Sequence, residues 1–126
     1  MSLKHRQKES IEEIARARGR FSAEAYVFTY EALDFTMELR EKEGRRGHIT
    51  GGELLEGIRA YGQKCFGYLG RAVFEAWGLR SSADFGDVVF DLVEAEVLSK
   101  QESDVKSDFD GGFEFRDAFE TRYIHE

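Results

Sequence analysis

GLRSSADFGDVVFDLVEAEVLSK, residues 78–100, is the stretch whose reading decides the fold. It opens with Ser81-x-x-Asp84, a capping signal: a serine oxygen can meet an orphan backbone N–H, and the acid sits at the positive helix end. Phe85, Val88, Val89, Leu92 and Val93 then recur at i, i+3, i+4, i+7 and i+8, one apolar face of a helix. Asp84, Asp87, Asp91 and Glu94 fall on the other side as an acidic stripe, and no Lys or Arg lies between Ser81 and Ser99 to neutralise it. After Ala95 the pattern shortens to Val97-Leu98-Ser99-Lys100, which reads as a strand. Helices precede this stretch and a hairpin signal follows it, so the order predicted is that of a winged helix.

Upstream, Ser22 caps a long helix over residues 22–41. Tyr26, Tyr30, Leu33 and Met37 form one apolar stripe, and Phe28, Ala32, Phe35 and Leu39 form another. A helix apolar on two sides is packed between neighbours; the alternative is an open aromatic face that pairs two copies as a homodimer. A polar loop, EKEGRRGHI (41–49), leads to a second capping box at Thr50-x-x-Glu53 and a helix over residues 53–65 carrying Leu54, Leu55, Ile58 and Tyr61. A further amphipathic helix over residues 68–77 carries Leu69, Val73, Phe74 and Trp77 and stops at Gly78. Trp77 and Phe85 are expected in the core on either side of that glycine. The first 21 residues form a basic leader: Ser10-x-x-Glu13 reads as its cap, Ile11 and Ile14 as a thin apolar stripe, Gly19 as its stop.

Downstream, Asp110-Gly111 is the residue pair of a two-residue hairpin turn, where both positions need positive φ. Phe109 precedes it, and Phe113 and Phe115 alternate after it. Residues 97–101 are expected to pair with residues 112–116, with the acid-rich stretch 102–110 as the wing; a local pairing of 105–109 with 112–116 is the rival register. The fold class expected is therefore mainly α with a small antiparallel β hairpin (α+β). A leader helix (1–21) precedes one domain (22–126), whose C-terminal part is winged-helix-like.

The chain resembles a small bacterial family of uncharacterised function restricted to Verrucomicrobia and Planctomycetes. The resemblance runs through AYVFTYEALDFT (25–36), HITGGELLEGIR (48–59), FGYLGRAVFEAWGLRSSADFGDVVFDLVEAEVLSK (66–100) and DFDGGFEF (108–115). The family has glycine where this chain has Glu96. With no assigned activity, the resemblance implies no catalytic residues.

Length and composition bound the rest. A chain of 126 residues suffices for one core, and eleven Phe, five Tyr and one Trp make that core aromatic. A single cysteine excludes an internal disulfide. No apolar run is long enough to span a bilayer, so no membrane role is expected and the cytoplasm is the default location. Of the net charge of −7, the weight lies in residues 81–110, with nine acids against two lysines. Such a surface repels phosphate backbones and favours basic partners.

Candidate chemistry is thin. Cys65 and His48 invite a thiol–imidazole pair, but no third group orients them, and a cysteine closing an amphipathic helix usually serves as a small buried apolar group. The three histidines have no i, i+4 pair to share a metal. Asp108, Asp110 and Asp117 fall at calcium-loop positions, but Lys106 occupies the first ligand position and defeats the site. Gly51-Gly52 offers exposed N–H groups to an anion, though Glu53 already supplies negative charge there. The expectation is a non-enzymatic protein-interaction module with no cofactor and an acidic third helix whose Asp84, Asp87, Asp91 and Glu94 face a basic protein partner. A transcriptional regulator gripping DNA through the leader or the Arg45-Arg46 loop is the alternative, opposed by those same carboxylates.

Overall fold

The computed structural model describes residues 3–45 and 49–98, together with Phe115, Ala118 and Phe119. Five α-helices are described: α1 His5–Arg18, α2 Ala23–Lys42, α3 Gly51–Phe66, α4 Gly70–Ala76 and α5 Ser82–Glu94, with a 3-10 turn, Gly67–Leu69, between α3 and α4. The start of α3 follows the expected local chemistry, whereas Ser22 precedes α2 as expected but makes no side-chain cap hydrogen bond. Thr50 and Glu53 form a full capping box, with Glu53 N–H donating to Thr50 Oγ1 and Thr50 N–H to Glu53 Oε1, both at 3.0 Å. The hydrogen bond from Thr50 N–H, more than the nearby Arg40 and Arg45, holds the Glu53 carboxyl below its usual range. α1, by contrast, begins five residues before the box expected at Ser10, with Lys4 N–H donating to Gln7 Oε1 at 2.8 Å. Gly19 stops it in the left-handed region, as its sequence predicts (φ 68°).

α2 lies at the centre and packs against α1, α3 and α5. Both of its apolar stripes are used inward: Tyr26, Phe28, Ala32 and Leu33 are buried, while Leu39 near its end is exposed. It can approach α3 closely because Gly57 has no side chain; a Cβ there would lie 1.7 Å from Thr36 Oγ1. That hydroxyl is tied to its own helix, donating to Ala32 O at 2.7 Å. The core itself is a cluster of rings around Phe74, with Phe28, Phe85, Phe115 and Phe119 all within 5.2 Å of it, or 6.1 Å for Phe115 to Phe85. Phe85 is fully buried as expected, whereas Trp77 is only half-buried against the cluster. The leader is part of the same core, for Ile11 is 1% exposed.

The winged-helix expectation is overturned. Among the described residues there is no strand. Val97 and Leu98, the first residues of the expected hairpin, turn back instead and donate their N–H groups to Leu92 O at 2.9 and 3.2 Å. With Glu96 N–H on Val93 O at 3.0 Å, this is a Schellman end to α5, and it uses up the donors a sheet would need. Phe115, expected in the second strand, is helical and buried. The Phe alternation that reads as a strand is thus one ring placed in the core by a helix. The turn pair Asp110-Gly111, Phe109, Phe113, the acidic stretch 102–110 and the calcium-loop positions lie outside the described residues.

The Schellman end places Glu96 at φ 61°, where glycine is the usual residue. A side chain in that region costs about 1–2 kcal/mol, and a carboxylate also meets the negative end of the helix. Glu96→Gly should therefore stabilise the protein by about 1 kcal/mol, with a melting temperature higher by about 3–5 °C. An unchanged or lower melting temperature would show that the Glu96 side chain makes an offsetting contact.

Candidate functional site

The acidic face of α5 is positioned by the turn before it. Gly78 has φ 95°, and its missing side chain leaves room for Arg20 O, which would lie 2.4 Å from a Cβ. Ser22 N–H donates to Trp77 O at 3.0 Å, so the connection between α1 and α2 is seated on the connection between α4 and α5. The cap of α5 differs from the expected one. Ser81 makes no side-chain cap, and Asp84 Oδ2 instead accepts Arg80 N–H at 2.8 Å.

This seating delivers two arginines to the stripe. Arg20 spans Asp84 and Asp87, with Nη2 to Asp84 Oδ1 at 3.0 Å and Nη1 to Asp87 Oδ2 at 2.8 Å, and its guanidinium carbon lies 4.5 Å from the Phe21 ring centre. The hydrogen bond to Asp87, the largest influence, raises the Arg20 pKa despite some desolvation. Arg18 Nε is 3.3 Å from Asp91 Oδ1, and Tyr26 donates its phenolic O–H to Asp91 Oδ2 at 2.8 Å. Burial, then the Asp91 hydrogen bond and charge, push the Tyr26 phenol well above the usual range, so it remains a donor. Of the four stripe residues, Asp91 is buried, Asp84 and Asp87 are half-buried under Arg20, and Glu94 is exposed. The structure brings the first three together with the leader; the self-repulsion apparent in α5 alone is relieved within the chain.

A second surface was not legible in the sequence. Leu69, assigned by periodicity to a core face, is 62% exposed and its neighbour Tyr68 is 52% exposed. The 3-10 turn shifts the phase: α4 starts only at Gly70, whose missing side chain accommodates Phe119 beneath. Cys65 and Ala72, one turn to either side in sequence, are also exposed. The only sequence signal available was the flanking pair Gly67 and Gly70. Among the described residues the other exposed large apolar side chains, Leu39 and Phe90, belong to different helices.

The chemical candidates find little support. Cys65 is exposed rather than a buried apolar group. Tyr61, four residues before it, has its phenol pushed up to about 12 by burial first, then by a hydrogen bond with Cys65 and the charge of Glu31. His48 lies outside the described residues. Gly51 is buried as the first residue of α3, and Glu53 fills the capping position beside it. Among the described residues, no three His, Cys, Asp or Glu side chains are grouped to hold a metal ion, and no helix is long and apolar enough to cross a membrane. No family model, curated protein or solved structure matches the chain.

Proposed function

We propose that this chain is a non-enzymatic protein-interaction module of the cytoplasm, making contact through the apolar corner of Tyr68 and Leu69. The observation that carries this reading is the exposure of two consecutive large apolar side chains on a turn braced from beneath by the packed Phe119 ring. Aromatic and aliphatic anchors on a rigid support are what partner pockets fill, and ordering them costs little entropy on binding. Around them, Lys64, Arg71 and Glu75 supply a charged rim. DNA binding has less support, because Arg18, Arg20 and Arg45 are all ion-paired with acids of this chain.

A photo-crosslinking residue at position 69 should yield discrete products in cells of the source organism, while one at exposed Glu12 should not. Tyr68→Ser/Leu69→Ser should then weaken binding of the crosslinked partner by about a hundredfold or more, with the fold intact by circular dichroism. A crosslinked mass of twice the chain would identify the partner as a second copy. Equal products at the two positions, or full affinity in the double variant, would end this reading.

A further inference from the structure

We propose that α1 is a detachable strap, and that the face of α2 beside Asp91 is a receptor for a basic amphipathic helix, filled in cis by α1. The juxtaposition is of three parts: a shallowly held helix, a hinge, and an anchor beyond the hinge that does not depend on the helix. α1 has one fully buried residue, Ile11, with Ile14 and Ala15 only half-buried, as is Leu3 just before it. Its charged grip is Arg18 on Asp91. Gly19 follows with φ 68°, and no atom beyond its chain neighbours lies within 4 Å of where its Cβ would be, so the hinge has room to rotate. Arg20 and Ser22 come next and are held by Asp84, Asp87 and the carbonyl of Trp77, none of which belongs to α1. When α1 lifts, the connection stays seated, and Ile11 is the one fully buried side chain of α1 that the core loses.

The receptor has defined chemistry. Lifting α1 takes Arg18 from Asp91, and leaves a carboxylate hydrogen-bonded by the Tyr26 phenol but without that cation. The seated ligand shows what fits: two isoleucines three residues apart, then an arginine four further on, from Ile11, Ile14 and Arg18. The occupant is thus a basic helix with that spacing, recognised by an apolar stripe and one arginine. The cis copy competes at high effective concentration, so a free helix enters only as the strap opens. This surface is separate from the Tyr68–Leu69 corner, and either can fail alone.

The test uses the full chain. In hydrogen exchange, amides of α1 should exchange about a hundredfold faster than those of α2, without global unfolding. Arg18→Gln should speed α1 exchange by about a further tenfold and leave α2 unchanged. A labelled peptide of residues 3–19 should bind the Arg18→Gln protein about tenfold more tightly than wild type, and the same peptide carrying R18Q should bind either protein more weakly. Exchange of α1 and α2 as one unit would overturn the strap. Equal affinity of the peptide for the two proteins, or binding to neither, would overturn the receptor.

Discussion

Replacing Gly78 with alanine should destabilise the protein by about 2–5 kcal/mol, enough to unfold a marginal domain in part at 25 °C. Two costs add. At φ 95° any L side chain is strained, by about 1–2 kcal/mol. The new Cβ would also lie 2.4 Å from Arg20 O, a backbone atom with no rotamer to escape into. The connection from α1 to α2 would have to lift, lengthening the hydrogen bond from Ser22 N–H to Trp77 O and drawing Arg20 from Asp84 and Asp87. Gly19→Ala is the control, since its φ of 68° has the same sign but the space around it is open. It should cost about 1 kcal/mol, the conformational part alone. Urea unfolding of both variants separates conformation from contact. If the two losses are equal, the seating of Arg20 on the turn is not a stabilising feature.

Much of the helical order was legible because it is local. The Thr50–Glu53 box, the Gly19 stop and the long run of two apolar stripes in α2 each depend on residues within one or two turns. What was misread depends on partners distant in sequence or on backbone states that composition does not encode. Ser10 has the spacing of a cap, yet it lies inside α1, because Ile11 is drawn into the core and the helix extends back to Lys4. Val97-Leu98 has the composition of a strand, but Glu96 adopts the left-handed conformation and folds the pair back on Leu92. Glutamate gives no signal for that state, whereas glycine would have.

The spacing of the acidic stripe along α5 is legible in the sequence, but its environment is not. The basic leader and the acidic stretch are visible as opposite charge totals, yet nothing in the sequence aligns Arg20 with Asp84 and Asp87, 64 and 67 positions away. Asp91 was read as one more surface acid. Its burial rests on Tyr26, a residue counted as part of an apolar stripe although it carries a hydroxyl able to meet a carboxylate. The Tyr68–Leu69 corner was lost for a different reason. The helix expected over residues 68–77 starts only at Gly70, and the 3-10 turn Gly67–Leu69 before it sets Tyr68 and Leu69 out of phase with its apolar face.

Phe74→Ala should lower stability by about 3–5 kcal/mol and leave little folded protein if the domain is marginal. Phe74 is fully buried, with the rings of Phe28, Phe85, Phe115 and Phe119 centred 5.2, 5.0, 5.2 and 5.1 Å away. These rings come from α2, α5 and the C-terminal residues, so truncation opens a cavity where separate parts of the chain meet and no single helix can move to fill it. Trp77→Ala removes a larger side chain from the next turn, but that side chain is half-buried and keeps part of its surface in water. Its cost should be smaller, about 1–3 kcal/mol, because the vacated space is open to solvent and leaves a smaller closed cavity. The order of the two losses in urea unfolding is the decisive result. A greater loss for Trp77→Ala would place the organising ring at position 77. A double-mutant cycle between Phe74 and Phe119 should give a coupling of about 0.5–1.5 kcal/mol. Additive losses from these two rings, with no coupling, would mean that Phe119 does not pack on Phe74.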